Sequence, residues 1–194
     1  MKVIFKTGVM SAGKTSDLLS NEFNFRKKGI KTFLVKPSLD TRSKNIKSRV
    51  GLEKKADFIS TDNNDKELIN KLLEVIKQDG IIFFDESQFL SKDLVRKLDK
   101  EVFHRGIKTN SIVFFYGLLT DFNNNLFETT SSIISICDEL IILPTTCQVD
   151  NCMKKATRNF LIDTVDSNSD TIHIGDDCYL SVCSEHYNYL NNKK

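Results

Sequence analysis

The sequence predicts an α/β fold, with a parallel sheet carrying most of the chain and a small cysteine-bearing region closing it. Three observations predict this. Short apolar runs alternate with amphipathic stretches as far as Leu143. A glycine-bearing turn, Gly8–Thr15, lies between a strand pattern and a helix pattern. Four of the five cysteines fall after residue 146. Alternating strand and helix signals give a sheet covered by helices, with right-handed crossovers between parallel strands.

Residues 2–7 alternate and are rich in β-formers, so they read as the first strand. Residues 14–28 read as a helix with Leu18, Leu19 and Phe23 apolar, a basic end at Arg26-Lys27-Lys28, and Gly29 as its stop. Lys31–Lys36 is a second strand ended by Pro37, and the polar, basic stretch 40–55 reads as a loop. Phe58-Ile59 suggests a short strand. Leu68, Leu72 and Ile76 recur at helical spacing within 63–77. Ile81–Phe84 is wholly apolar, as expected of a strand buried on both faces. A helix is expected over 91–105 with Ser91 as N-cap, a strand over 112–115, a weaker helix over 126–136 and a strand over 140–143. Pro144 marks a change to a region rich in Cys, Asp and Asn without a long helical pattern. The reading is therefore two domains, 1–145 and 146–194, with the boundary near 144–146.

The 194 residues suit one medium domain, or one domain plus an appendage. With 40% apolar and 28% charged residues the chain fits a soluble globular protein rather than a disordered one. A net charge of +2 gives no argument for a polyanionic partner. No apolar run approaches membrane-spanning length. The opening Met-Lys-Val-Ile-Phe-Lys reads as a strand rather than a signal peptide, because Thr7 and Gly8 interrupt it. The expected location is cytoplasmic, and an odd cysteine count without a signal argues against a disulfide framework.

Gly8-x4-Gly13-Lys14-Thr15 matches the Walker A pattern, and its place between strand and helix is the one that chemistry requires. The glycines let backbone N–H groups curl around phosphate oxygens, Lys14 reaches the β- and γ-phosphates, and Thr15 offers its hydroxyl to Mg²⁺. Gly8, Met10, Ser11, Ala12, Gly13, Lys14 and Thr15 are thus expected to bind ATP in a P-loop NTPase-like sheet domain. Such a site needs a carboxylate at the end of a neighbouring buried strand. Asp85 follows Ile81–Phe84 and is the expected Mg²⁺-shell residue; Glu86, next to it, is placed to take a proton from an attacking hydroxyl or water.

Cys147-x4-Cys152 and Cys183-x2-His186 offer two pairs of soft ligands that can enclose a tetrahedral Zn²⁺. Four protein ligands leave no open position, so the site is expected to be structural. It would staple a region with little core of its own. The alternative is scattered buried thiols and a histidine that caps a helix. Cys137 reads as core.

Several segments together resemble the type II thymidine kinases, a family with a P-loop domain and a zinc-bearing lasso domain. The resemblance is carried by Gly8–Thr15, Lys36-Pro37 with Asp40-Thr41-Arg42, Ser48-Arg49-Val50-Gly51, Asp85-Glu86-Ser87-Gln88-Phe89, Tyr116-Gly117-Leu118 with Thr120-Asp121-Phe122, and Gly175–Cys183 with His186-Tyr187. It implies transfer of the ATP γ-phosphate to the 5′-hydroxyl of thymidine. Glu86 would be the base, and Arg42 would stabilise charge on the moving phosphoryl group. Met10, Gln88, Phe89, Leu118, Phe122 and Phe127 would line the nucleoside pocket, with Thr157, Ile174, Gly175 and Tyr179 approaching the base. Without the resemblance, those apolar residues read as plain core. It also implies a homotetramer and feedback inhibition by dTTP. Ala12, Leu119, Asp176 and Ser184 depart from the family pattern, and the lasso is one residue short. A nucleic-acid-binding P-loop protein is disfavoured, since 163–177 carries five aspartates and no Lys or Arg, which repels phosphates. No membrane partner is expected.

Overall fold

The computed structural model describes residues 1–39, 45–103, 106–162 and 178–193. The chain opens with β1 (Lys2–Thr7), α1 (Lys14–Lys27) and β2 (Thr32–Pro37). Two three-residue strands, β3 (Asn45–Lys47) and β4 (Glu53–Lys55), then pair antiparallel. They correct the expected loop over 40–55 within its described part. Alternation is unreadable in strands this short and polar, of which only Ile46 is buried. Next come β5 (Phe58–Ser60), α2 (Asp65–Ile76), β6 (Ile81–Phe84), a 3-10 turn at Ser87–Phe89 and α3 (Lys92–Leu98). The expected helix 91–105 is shorter than read: its α-helical part stops at Leu98, and a wider π-type turn carries Asp99–Phe103. Leu94, Leu98 and Val102 are nonetheless all buried, and the Ser91 hydroxyl caps the helix by accepting the Leu94 N–H at 3.0 Å. β7 (Ile112–Gly117), α4 (Glu128–Ile136) and β8 (Glu139–Ile142) complete this part. β9 (Arg158–Leu161), β10 (Tyr179–Val182) and α5 (Ser184–Asn191) follow. α5 was not read from the sequence, because it buries no residue fully and so carries no clear apolar stripe.

Six strands form one sheet in the order β5-β2-β6-β7-β1-β8, every pair parallel. The central strands are apolar because helices cover both faces. One layer joins Phe5, Val35, Phe84 and Phe115 to the buried faces of α2, α3 and α4. The other joins Ile4, Leu34, Phe83, Phe114 and Tyr116 to Leu18 and Leu19 of α1 and to Ile46 of the β3–β4 hairpin. Register Phe83↔Phe114 and Phe84↔Phe115 stacks an aromatic pair on each face, at 5.2 and 4.6 Å between centroids. Phe23 is not part of this core: it stands half exposed beneath the Arg26 guanidinium. Since all six strands run one way, their carboxyl ends share one edge. Open α/β sheets hold their ligands outside that edge.

β9 and β10 pair antiparallel outside the sheet, above a third apolar cluster of Cys147, Phe160, Val182 and Cys183. Among the described residues no helix is long and apolar enough to cross a membrane.

Candidate active site

The turn Gly8–Thr15 leaves the carboxyl end of β1 and opens α1, as its spacing requires. Its glycines answer two different demands. A Cβ at Gly8 would stand 2.8 Å from the Leu143 carbonyl oxygen and 2.8 Å from the Ala12 Cβ, so the loop can pass β8 only without a side chain there. Gly13 has open space around it but a φ of +73°, the left-handed conformation that glycine adopts without cost. No side chain caps α1, and the first N–H groups of a helix have no intrahelical partner. The Lys14 ammonium folds back over the loop and donates to the carbonyls of Gly8 (3.1 Å) and Val9 (2.9 Å).

β6 delivers the carboxylates to the same edge. Asp85 is buried, and its Oδ1 accepts the Thr15 hydroxyl at 3.3 Å, so the two residues expected around Mg²⁺ are in contact across 70 positions of chain. Glu86 adopts φ 45°, a left-handed turn that gives it a different neighbour from Asp85. Its Oε2 accepts the Gln88 Nε2–H at 2.7 Å, while Gln88 Oε1 accepts the Leu118 N–H at 3.0 Å. Gln88 therefore orients the half-buried Glu86 against the end of β7. Gly117 is glycine for this reason: a Cβ there would lie 2.7 Å from Gln88 Oε1 and 2.6 Å from the Ser87 hydroxyl.

One helical turn into α1, Asp17 accepts the Tyr116 hydroxyl and the Lys6 ammonium, each at 2.7 Å. Burial, followed by this hydrogen bond, pushes the Tyr116 hydroxyl far above its ordinary range, so it stays neutral, donating to Asp17 and accepting the Asn21 Nδ2–H at 3.4 Å, and fixes α1 to β7.

The expected nucleoside-pocket residues fall into groups. Phe89 and Phe127 meet edge to face at 6.3 Å, and Phe122 and Tyr179 lie 6.2 Å apart. Leu118 is half-buried, its N–H on Gln88 and its carbonyl accepting the Thr130 hydroxyl at 2.8 Å. The Tyr187 hydroxyl of α5 donates to the Phe122 carbonyl at 2.7 Å, tying the C-terminal helix to this wall. Thr157 stands apart. It is exposed, and its hydroxyl is 3.0 Å from that of Ser184, at the Cys183 end of the β9–β10 pair. Arg42, Ile174, Gly175 and the departing Asp176 lie outside the described residues.

Cys147, Cys152, Cys183 and His186 converge so that their ligand atoms all lie within 4.8 Å of one another. His186 Nδ1 is 3.4 Å from both Cys147 Sγ and Cys183 Sγ. A tetrahedral ion with bonds of about 2.3 Å to sulfur and about 2.0 Å to nitrogen needs ligand edges of roughly 3.5–3.8 Å, so the group fits a small cation with little adjustment. Burial opposes ionisation of Cys147, but the backbone N–H groups of Cys183 and Val149, then His186 and Cys152, bring its thiol down to about 6. The thiolate is the form that binds metal. Cys137 packs against the sheet core, and burial pushes its thiol up, as suits an unreactive core residue.

The family model described as Thymidine kinase matches residues 1–187. Over nearly the whole chain the sequence is similar to proteins named Thymidine kinase. The protein of Enterobacteria phage T4 is 36% identical, over 98% of this chain and 97% of its own length. That of Vibrio vulnificus strain YJ016 is 36% identical, over 96% of both chains. That of Legionella pneumophila strain Lens is 33% identical, over 96% of this chain and 88% of its own. The chain belongs to the thymidine kinase family.

Within this family's sheet and cysteine cluster, the chain has site neighbours that motif reading passed over. Arg49, beyond the end of β3, donates from Nη1 to the Ser11 hydroxyl of the Gly8–Thr15 turn. Asn159 and Ser181, on β9 and β10, hydrogen-bond to Met10. Arg49 had a signal, since it lies in the Ser-Arg-Val-Gly run. Ser181 lies in the Gly175–Cys183 run, which gave it a place in the family pattern but no role; Asn159 had no signal, because a polar residue in a short strand reads as solvent-facing.

Proposed function

We propose that this thymidine kinase family member transfers the γ-phosphate of ATP to the 5′-hydroxyl of thymidine, giving dTMP. The observation that carries the reading is convergence at one sheet edge: the Lys14-Thr15 pair after β1 touches Asp85 after β6, with Glu86 beside it held by Gln88. Backbone N–H groups of the loop and of α1 cradle the triphosphate, with Gly8, Met10, Ser11, Ala12 and Gly13 supplying the loop's shape. Lys14 leaves its two carbonyl partners for the β- and γ-phosphates. Mg²⁺ bound with the nucleotide would be held by Thr15 and Asp85, and would neutralise charge on the phosphates. Glu86 accepts the proton of the nucleoside hydroxyl as that oxygen attacks the γ-phosphorus, the bond from the γ-phosphorus to the bridging oxygen breaks so that ADP leaves, and Arg42 offsets the charge that spreads onto the phosphoryl oxygens.

The acceptor would sit among Met10, Gln88, Phe89, Leu118, Phe122, Phe127 and Tyr179, with Thr157, Ile174 and Gly175 of the lasso domain approaching the base. Apolar walls exclude water from the transfer. A structural Zn²⁺ on Cys147, Cys152, Cys183 and His186 would hold residues 146–194 together as the unit carrying the lasso. The proposed setting is cytoplasmic, as a homotetramer inhibited by dTTP, with no nucleic-acid or membrane partner.

The test is an assay of metal-replete protein with ATP, Mg²⁺ and a panel of deoxynucleosides. Thymidine should be phosphorylated, and Glu86→Gln should lower turnover about 10²–10⁴-fold with ATP binding retained. Failure of the wild type to phosphorylate any nucleoside would sink the proposal.

A further inference from the structure

Asn159 and Ser181 face each other in register across the β9–β10 pair, and both are buried, at 4% and 0% exposure. A polar side chain out of water must find a partner or destabilise the fold. Both find theirs on a single residue far away in the chain. Asn159 Oδ1 accepts the Met10 N–H at 2.8 Å, and the Ser181 hydroxyl donates to the Met10 carbonyl. Met10 is in the middle of the phosphate loop. The residue after it, Ser11, has φ 58°, a conformation that a non-glycine residue keeps only when its surroundings impose it. Ser181 is fixed in its turn. Its N–H donates to Gln148 Oε1 at 2.7 Å, and its carbonyl accepts the Gln148 N–H at 2.9 Å. Gln148 directly follows Cys147.

We propose that Asn159 and Ser181 are positioning residues for the phosphate loop, clamping both peptide groups of Met10 from the C-terminal strand pair. The inference rests on the reading of Gly8–Thr15 as the triphosphate site. One bond is accepted and the other donated, so together they set the rotation of the two peptide planes that flank the Met10 Cα. With those planes set, the left-handed turn at Ser11 and the N–H groups after it are in place before nucleotide arrives. Binding then costs less in ordering the loop, which is the general source of affinity in a preorganised site. The clamp also explains why two polar residues occupy the buried face of a small strand pair where apolar ones would pack: their partner is backbone, and backbone must be hydrogen-bonded.

The experiment measures the dissociation constant of Mg·ATP by calorimetry on the full-length, metal-replete protein with no nucleoside present. Ser181→Thr and Ser181→Val add the same bulk and differ only in the hydroxyl. The valine variant is expected to bind ATP about tenfold more weakly than the threonine variant, the size of one lost hydrogen bond, with the bound metal unchanged in both. Asn159→Ala removes the acceptor without adding bulk. It should show a similar loss, and it decides the matter if both Ser181 variants unfold. Equal affinity for Ser181→Thr and Ser181→Val, or wild-type affinity in Asn159→Ala, would overturn the clamp. A wild type that binds no ATP would instead overturn the reading of the loop on which the clamp depends.

Discussion

The central sheet and the C-terminal cysteine region are held by different means. The sheet has an apolar layer on each face, and Phe5, Leu34, Phe83, Phe84 and Phe115 are fully buried within them. The β9–β10 pair and α5 share a cluster whose buried members are Cys147, Phe160, Val182 and Cys183, so two of the four are thiols that also belong to the Cys/His group. α5 buries no residue fully. A sheet with two packed layers can be stabilised by burial alone, whereas a strand pair and a two-turn helix with so little apolar area need a further constraint. The contrast therefore teaches that the two regions should fail under different insults.

The largest effect is expected from the cysteine group. If a metal ion closes it, Cys183→Ala should remove the ion and with it the order of β9, β10 and α5, because metal binding in such small sites is worth on the order of 10 kcal/mol of folding free energy. The sheet should keep its own unfolding transition. Segment-resolved hydrogen exchange checks this: loss of protection confined to residues after 146 is the expected outcome. Unchanged protection there would mean that the small apolar cluster suffices.

A smaller effect, and a global one, is expected in the sheet. Phe84 is fully buried and stacked on Phe115 at 4.6 Å. Phe84→Ala should lower unfolding stability by about 3–5 kcal/mol, read from denaturant titration, without loss of metal from the native protein. A loss below about 1 kcal/mol would show that the layer relaxes into the cavity, and the contrast between the regions would weaken.

The same contrast decides what was legible in the sequence. Ile81–Phe84 and Ile112–Phe115 announce buried strands because every residue of theirs must be apolar. Leu68, Leu72 and Ile76 announce α2 because its one buried face repeats at helical spacing. The Gly8–Thr15 turn, Asp85 and the Cys/His group were legible as candidates because the chemistry expected of them restricts residue type. The β3–β4 hairpin was not, since three-residue strands such as Glu53–Lys55 show no period and their pairing comes from tertiary contact. Nor were the contacts of Asn159 and Ser181 with Met10, because hydrogen bonds made by main-chain N–H and C=O groups leave no trace in the side chain of the residue that carries them. The tail of the expected helix 91–105 was misjudged for a related reason: Val102 keeps the apolar spacing while the backbone widens to a π-type turn, and spacing does not distinguish the two.

The smallest effect lies inside the sheet half and concerns pH. Glu22 of α1 is a carboxylate, yet it is almost wholly buried. Burial pushes its pKa up, but hydrogen bonds from Lys54 and Thr32 and the charges of Lys54 and Arg26 outweigh that and hold it below the ordinary glutamate value. Glu22 thereby ties α1 to β2 and to the β3–β4 hairpin. A carboxyl group whose folded pKa is depressed contributes stability that is present above its unfolded pKa and is lost as the pH falls through the folded value, because the unfolded chain then binds the extra proton first. Melting temperature followed from about pH 7 to about pH 3 should thus fall less steeply in Glu22→Gln than in the wild type, with the curves converging at the acid end. The variant should be the less stable of the two near neutrality, since glutamine keeps a hydrogen-bonding oxygen but leaves the Lys54 charge without its partner. Parallel curves across that range would mean that Glu22 is solvated in the folded protein, and that the sheet half is held by its apolar layers without this polar tie.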